Sequence, residues 1–258
     1  MTHYYGGAGD PKRTIDLLWG VSETPKRGRK PKVTVEQIVE AAIELADSAG
    51  LSVLAMRTIA KRLHIGTMTL YTHVPSKAEL IDLMVDRVTA RYLIPPETTE
   101  SQSWRAGLEA AARRDWNLYR QHPWMLQLSN TRPTLGPAIF DRYEHDLNLI
   151  DGIGLDDVEM DAAVSMLNGF VRGTAASANE FANSYATTGQ SDQEWWDSFV
   201  PELGRVANDE TYPVSSRVGA ELGEQFQAAN QPEFVFEFGL QRFLDGIAVL
   251  IGHQASNE

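Results

Sequence analysis

Small polar side chains are concentrated in a short stretch of the chain, TMTLYTH at 67–73. Thr67, Thr69 and Thr72 each carry a hydroxyl that can donate or accept a hydrogen bond, and His73 adds an imidazole. Such hydroxyls can pair with either the donors or the acceptors on base-pair edges, and threonine methyls can contact thymine methyls. Seven residues are too few for an independent helix, so neighbouring elements must hold this stretch in place.

The apolar period predicts that these neighbouring elements are helices. Thr34 is a candidate N-cap for a helix that ends at Gly50, and a second, shorter apolar stripe occupies 56–63. Ser76 begins a further helix and can form a capping box with Glu79. The order of helix, short helix, tight turn, short polar helix and long helix predicts a helix-turn-helix whose second member lies in the major groove of DNA.

The expected DNA contacts fall into three groups. The polar helix reads base edges, Arg57 reaches a base or a phosphate, and Lys77 binds the backbone together with free amides of the next helix. The run KRGRKPK at 26–32 has five cations, and its glycine and proline exclude a helix. This flexible basic arm either inserts arginine into a narrow minor groove or only adds attraction to phosphate. The residues expected to contact DNA are Arg27, Arg29, Lys30, Arg57, Thr67, Met68, Thr69, Tyr71, Thr72, His73 and Lys77.

Charge is distributed unevenly along the chain, whose net charge is −12. Residues 1–92 carry a net charge of +3 and residues 93–258 carry −15, and all six lysines lie at or before Lys77. This asymmetry is typical of a basic binding end attached to an acidic body. The chain has no cysteine, which excludes disulfides and thiolate sites. No apolar run approaches the ~18 residues of a membrane span, and no signal-peptide order is present, so we expect a cytoplasmic protein without a membrane partner.

The N-terminal third resembles the TetR family of bacterial regulators. The resemblance is carried by TLYTHV at 69–74 and SKAEL at 76–80, behind an R-x-I-A-x-x-L helix at 57–63. His64 stands where the family pattern has glycine, and because histidine tolerates positive φ better than most residues, we expect it to adopt that conformation. Met68 stands at a position that varies within the family, where sequence preference would be set.

The rest of the chain predicts an all-α body. NTRP at 130–133 and FEFGLQRFLDGI at 236–247 resemble the body of the tetracycline repressor. The resemblance implies that the last two long helices of two copies pack as a four-helix dimer bundle. The final helix is apolar on more than one face, which agrees with a second partner, although burial within a monomer is the alternative. The predicted helices span 103–121, 122–129, 136–150, 156–183, 192–207 and 233–252.

The resemblance further implies a small-molecule pocket within the body. Aligned on Thr131, the magnesium-binding histidine of the tetracycline repressor falls at Leu128 and its drug-contacting histidine falls near Tyr92. This chain has neither of these histidines, so we expect no recognition of tetracycline with magnesium, no metal and no cofactor. Each aromatic candidate is either core or pocket wall, and each polar candidate either lines the pocket or lies on the surface. The candidates are Trp116, Tyr119, Trp124, Leu128, Arg132, Asp141, Glu144 and Asn168.

No H-E-x-x-H, G-x-S-x-G or P-loop is present, so we expect no enzyme activity. The interpretation is an all-α protein with a flexible extension (1–33), a helix-turn-helix domain (34–80) and a ligand-binding and dimerisation domain (81–258). We expect a homodimeric repressor that a small molecule releases from a palindromic operator. One alternative is a DNA-architectural protein that uses the basic arm without sensing a ligand. A weaker alternative is an α-helical enzyme with a DNA-binding appendage.

Overall fold

The structure is a computed structural model that describes residues 4–21, 33–93, 103–129, 131–207, 210–226 and 231–254. Within these ranges the chain forms eleven α-helices, a 3₁₀ turn and a pair of two-residue strands, so the predicted all-α class is confirmed. The elements are β1 (Tyr4–Tyr5), α1 (Pro11–Leu18), α2 (Val35–Ala49), α3 (Met56–Arg62), α4 (Thr67–His73), α5 (Lys77–Arg91), α6 (Trp104–Gln121), the 3₁₀ turn (Pro123–Gln127), β2 (Leu128–Ser129), α7 (Pro137–Asn148), α8 (Asp157–Thr188), α9 (Asp192–Leu203), α10 (Pro213–Phe226) and α11 (Pro232–Gln254).

The chain divides into two compact units, one formed by 1–172 with 243–258 and the other by 173–242. The first unit contains α1 to α7 and has a continuous apolar interior. Its fully buried side chains include Ile38, Ile59, Leu70, Met84, Leu108, Leu118 and Trp124. Burial on this scale supplies the main driving force that holds the short helices α3 and α4, which lack the length to be stable alone.

Local capping fixes where the helices of the first unit begin. Thr34 and Gln37 form a complete capping box at α2, and the Ser76 hydroxyl accepts hydrogen bonds from two amides at the start of α5. His64, between α3 and α4, has φ 54° and is the single non-glycine residue with positive φ among the described residues. The prediction that His64 adopts this conformation is therefore confirmed.

The N-terminal segment differs from the expectation of a flexible extension. Residues 4–21 contain β1, which pairs in parallel with β2, and α1, whose N-cap Asp10 accepts a hydrogen bond from the Arg13 amide. The sequence has a good start signal here, an aspartate followed by proline at the first helical position. The flanking glycines and the short apolar stripe made this start signal weak in the sequence. The helix α1 is too short to be stable by local propensity alone, and packing against α5 stabilises it. The basic arm at 26–32 lies outside the described residues.

The second unit contains the C-terminal part of α8, the helices α9 and α10, and the first half of α11. The predicted helices do not include α10, and the predicted end of α9 at 207 lies beyond the observed end at Leu203. The helix predicted at 122–129 was wrong, because the structure has a 3₁₀ turn at Pro123–Gln127. Many apolar side chains of this unit are exposed, among them Trp195, Phe199, Phe234 and Phe238. None of the described helices is both long and apolar enough to cross a membrane.

Candidate functional site

The outward face of α4 carries the side chains that were predicted to read DNA. Met68 is 77% exposed and Tyr71 is 40% exposed, whereas Leu70 between them is fully buried and anchors the helix. The Thr72 hydroxyl donates to the Thr69 carbonyl at 2.7 Å, which fixes its orientation on the helix surface. The geometry presents a short exposed helix on a rigid apolar base, as a helix-turn-helix requires.

Lys77 has a second role that the sequence did not indicate. Its ammonium donates to the carbonyl of Leu51 at 3.2 Å, so it ties the start of α5 to the turn between α2 and α3. Arg57 is exposed at the start of α3, as expected, while Arg27, Arg29 and Lys30 lie outside the described residues.

A partly buried polar joint, formed by Asp47, His122 and Trp124, connects α2 to the 3₁₀ turn. One carboxylate oxygen of Asp47 accepts the Trp124 indole N–H at 2.7 Å and lies 2.7 Å from Nδ1 of His122. The Trp124 side chain is 1% exposed, whereas the Asp47 side chain is 30% exposed, so the donor of this hydrogen bond is buried and its acceptor reaches solvent. Because an unmet indole N–H would be costly in this environment, the joint fixes the position of the turn relative to α2.

A cavity of about 670 Å³ lies behind this joint, between α5, α6, α7, α8 and the segment 128–135. Apolar and aromatic side chains form most of its wall, with a minority of polar groups, which is the composition typical of small-molecule sites. Its lining residues are Gly6, Ile81, Val85, Thr89, Tyr119, Met125, Leu128, Ser129, Arg132, Pro133, Thr134, Leu135, Ile139, Phe140, Arg142, Tyr143, Asp161, Ser165, Asn168, Gly169 and Arg172.

Two polar atoms on the cavity wall are buried without a hydrogen-bond partner among the described residues: Nε of Arg142 and the hydroxyl of Thr89. Buried donors are normally satisfied, so these two atoms are exceptions within the part of the chain that the structure describes. Tyr143 donates to Asp161 at 2.7 Å on the same wall. Arg172 is held by three backbone carbonyls of the 3₁₀ turn and β2, and its guanidinium lies over the Tyr119 ring.

Behind Arg142, a buried ion network joins α6 to α7. Arg114 makes two parallel hydrogen bonds to Asp146, at 2.8 and 2.9 Å, and a third to Asp115 at 2.8 Å. Burial alone would lower the pKa of Arg114, but the two carboxylates outweigh it and raise that pKa. Burial likewise opposes ionisation of Asp146, yet hydrogen bonds from His145 and Arg114 and the nearby guanidinium charges lower its pKa. The network is therefore ionised and rigid at neutral pH.

Among the described residues, the carboxylates of Asp82 and Asp86 on α5 are not bonded to an arginine as Asp115 and Asp146 are. Asp82 is 1% exposed and accepts the Gly7 amide through both oxygens at 3.1 Å and the Thr134 hydroxyl at 2.9 Å. Burial raises its pKa, and these hydrogen bonds only partly offset the effect. Asp86 accepts amides at the start of α7, and its pKa is also raised by burial. These acids face main-chain amides rather than arginine.

The structure brings half of the predicted pocket residues to the cavity. Tyr119, Leu128, Arg132 and Asn168 line it. The other four do not, since Trp124 forms the joint with Asp47 and Trp116 lies half-buried under Arg120 on another face of α6. Asp141 and Glu144 are exposed on α7.

The helical period explains the errors on α7. Its cavity face consists of Ile139, Phe140, Arg142 and Tyr143, which repeat at spacings of three and four residues, and the predicted Asp141 and Glu144 belong to an adjacent face. Arg142 and Arg172 were missed because a lone arginine in a helix is usually a surface residue. Within the described residues, no group of three histidine, aspartate or glutamate side chains is placed to hold a metal ion.

An exposed recognition helix on an apolar base, joined to an α-helical body with an internal cavity, defines a helix-turn-helix regulator with a sensing domain. Comparison with known proteins identifies the family. Residues 38–84 match the pattern of bacterial regulatory proteins of the tetR family, and residues 95–251 match the tetracyclin repressor-like C-terminal domain. The chain belongs to the TetR family and is a DNA-binding transcriptional repressor of that family.

Relatives and solved structures agree with this assignment. The HTH-type transcriptional repressor DrrR1 of Streptomyces coeruleorubidus is 43% identical over 249 residues, which cover 96% of this chain and 89% of that protein. Apo ActR of Streptomyces coelicolor has a TM-score of 0.70 at 23% identity, covering 88% of this chain and 99% of ActR. ActR in complex with actinorhodin has a TM-score of 0.69 at 24% identity, covering 85% and 99%.

Proposed function

We propose that this repressor is a homodimer that binds a palindromic operator and is released from it by a small molecule held in the 670 Å³ cavity. The observation that carries the proposal is that the cavity touches both elements on which the DNA-binding helices rest. Ile81 and Val85 of α5 line it, and so does Met125 of the 3₁₀ turn. A ligand shifts a conformational equilibrium only through a difference in affinity, and contact with both elements provides such a difference.

The two elements transmit a displacement to the recognition helix by separate contacts. α5 follows α4 directly and is tied to the α2–α3 turn through Lys77. The 3₁₀ turn is tied to α2 by the hydrogen bond from Trp124 to Asp47. A small change in cavity shape at Met125 or Val85 therefore changes the orientation of the helices that carry Met68 and Tyr71.

The lining indicates the chemistry of the effector. Tyr119, Phe140 and Tyr143 favour an aromatic body, and the unpaired Nε of Arg142 with the Thr89 hydroxyl favours acceptor oxygens on that body. The ActR structure with actinorhodin shows that a neighbour of the same fold accommodates a small molecule. Recognition of tetracycline with magnesium stays excluded from the proposal, because Leu128 occupies the position of the metal-binding histidine.

A second copy of the chain is the proposed partner of the exposed apolar residues on α8 and α11. Met166 on α8 is exposed, as are Phe234, Phe238 and Val249 on α11. A soluble chain rarely leaves such side chains uncovered. Two copies related by a two-fold axis would place their recognition helices about 34–36 Å apart, one turn of DNA.

Selection from a pool of random duplexes tests the DNA-binding part of the proposal. We expect the bound fraction to contain a two-fold palindrome with half-sites about one helical turn apart. Met68→Ala should change the preferred bases without abolishing binding, because Met68 lies on the exposed face of α4. Enrichment of A·T-rich DNA without symmetry would contradict the proposal and favour a DNA-architectural protein.

Trp124→Phe tests the coupling between cavity and head. Phenylalanine keeps the ring packed but loses the N–H bonded to Asp47, so an effector found by screening should bind almost as in the wild type while releasing the operator less effectively. Operator release is measured by fluorescence anisotropy during effector titration. Trp104→Phe, the same replacement at the start of α6, is the control. Equal loss of effector affinity and operator release in Trp124→Phe would contradict the role of the joint.

A further inference from the structure

The segment 4–21, which we call the strap, runs across one side of the cavity. Its Gly6 lines the cavity directly, beside the carbonyl of Arg132 and the side chains of Asp82 and Thr134. At its N-terminal end, Tyr5 pairs with Ser129, another lining residue, in the parallel strand pair. The strap is thus in contact with the wall from its first described residues.

The other end of the strap is fixed to the same wall. The Trp19 indole N–H donates to the carbonyl of Leu135 at 2.9 Å. The Trp19 ring meets Phe140 edge-on, with 5.9 Å between ring centroids. Leu135 and Phe140 both line the cavity, so the strap spans from β2 to the start of α7.

Between these two ends, the strap covers acids of α5. Asp82 accepts the amide of Gly7, and the buried carboxylate of Glu79 accepts the amide of Asp10 at 3.3 Å and faces the Arg13 guanidinium at 3.8 Å. Without the strap, Glu79 and Asp82 would lose these partners and become accessible to water. Docking therefore depends on a few hydrogen bonds to charged groups.

We propose that the strap is a part of the effector site: it forms the wall at Gly6, holds the segment 128–135 in place and closes over the bound molecule. This inference rests on the proposed effector role of the cavity. Strap docking and effector binding then stabilise each other, because the strap contacts the residues that contact the effector. An undocked strap opens the cavity, and release of a bound molecule becomes faster.

Gly9→Val is designed to undock the strap. A Cβ at this position would lie 2.7 Å from Cδ and 2.9 Å from Cγ of Glu79, whose side chain is buried and cannot move aside freely. Ala8→Val is the matched control, since Ala8 is exposed on the neighbouring position. Amide hydrogen exchange at Gly7 and Asp10 reports whether the strap has undocked in each variant.

The probe is 1-anilinonaphthalene-8-sulfonate, an aromatic anion suited to a wall of tyrosine, phenylalanine and arginine. In stopped-flow experiments we expect the probe to leave Gly9→Val about tenfold faster than it leaves Ala8→Val, with a matching loss of affinity. Equal release rates in the two variants, with the strap undocked in Gly9→Val, would overturn the proposal. Val85→Phe, which fills the cavity from α5, must abolish probe binding.

A disulfide between the strap and β2 would lock the strap in the docked position. It tests the proposal independently if Gly9→Val leaves the strap docked. The chain has no cysteine, so Tyr5→Cys with Ser129→Cys forms a single pair between residues that are partners across the strands. Neighbouring strands are about 4.8 Å apart, within disulfide range. The oxidised protein should release the probe about tenfold more slowly than the reduced protein, and no difference would overturn the proposal. If the probe does not bind, or still binds to Val85→Phe, the proposed role of the cavity as the effector site would be contradicted, rather than the role of the strap.

Discussion

Two sets of carboxylates, all of them buried except the half-buried Asp86, lie near the cavity, and they are stabilised in opposite ways. On α6 and α7, Asp115 and Asp146 are bonded to Arg114, and the pKa of Asp146 is lowered. On α5, Asp82 and Asp86 accept main-chain amides and one hydroxyl, and burial raises the pKa of both. The first set holds two neighbouring helices together through side chains of opposite charge. The second set depends on main-chain amides of segments distant in sequence: Asp82 on the strap and Asp86 on the start of α7.

The difference indicates which wall of the cavity is fixed and which can open. A buried carboxylate with a bidentate arginine retains its partner as long as α6 and α7 remain folded. A buried carboxylate bonded to Gly7 retains its partner only while the strap is docked. The ion network therefore makes the α6–α7 wall stable by itself. The stability of the α5 wall depends on whether the strap is docked against Asp82.

Arg114→Met should produce the largest effect on stability. It leaves Asp115 and Asp146 buried without their main cationic partner, which costs about 3–5 kcal/mol of the free energy of unfolding. Urea denaturation followed by circular dichroism measures this loss. Arg113→Met is the control, because Arg113 is partly exposed and pairs with Glu109 on the helix surface; it should cost at most about 0.5 kcal/mol. Similar losses in the two variants would remove the distinction between the two sets.

Asp82→Asn and Asp146→Asn should change the pH dependence of stability in opposite directions. The pKa of Asp82 lies above its ordinary 3.8, so the folded state holds this proton more tightly than the unfolded state. Its contribution to the free energy of unfolding falls as pH rises from that ordinary value through the raised pKa. Relative to the wild type, Asp82→Asn should thus gain stability as pH rises through this range.

For Asp146→Asn, the stability difference from the wild type changes with pH in the opposite direction. Because its pKa is lowered, its stabilising contribution is present above the unfolded value of 3.8 and is lost as pH falls through the lowered pKa. Asp146→Asn should therefore lose stability relative to the wild type as pH rises. Thermal unfolding of the three proteins between about pH 2 and pH 7 measures both slopes, because this range extends below 3.8 toward the lowered pKa of Asp146 and above it toward the raised pKa of Asp82. Slopes of the same sign would show that the two sets are not stabilised differently.

Thr134→Val should produce the smallest effect. Valine removes the hydroxyl that donates to Asp82, while the Gly7 amide still bonds both carboxylate oxygens, so the expected cost is about 1 kcal/mol. Denaturation with urea measures it, and Thr58→Val on the exposed face of α3 is the control. A cost close to that of Arg114→Met would mean that the hydroxyl, rather than the strap, is the main partner of Asp82.

The helix-turn-helix could be predicted from the sequence because its determinants are local. α4 needs Leu70 inward with Met68 and Tyr71 outward, which the helical period shows. The positive φ of the turn at His64 was predicted from the resemblance, because the family pattern has glycine at that position. The strap could not be predicted in the same way, since α1 is held by contacts with α5 and with Leu135, far away in sequence.

The cavity was predictable only in part, for a related reason. Tyr119 and Asn168 were correctly placed at the wall, but the sequence does not show how each helix is rotated about its axis. Trp124 illustrates the problem: its indole N–H is bonded to Asp47, and only the folded structure reveals that partner.

The anchoring of Trp19 has a consequence for the basic residues that follow it. Val21 continues from α1, and Val33, which is 3% exposed, enters the core ahead of α2. The eleven residues between them lie outside the described ranges, but both of their neighbours belong to one packed unit. In polymer terms, docking of the strap fixes the position of Val21 relative to Val33, and so it sets the distance between the two attachment points of the basic arm. Undocking of the strap would release Val21 from this constraint while Val33 stays in the core.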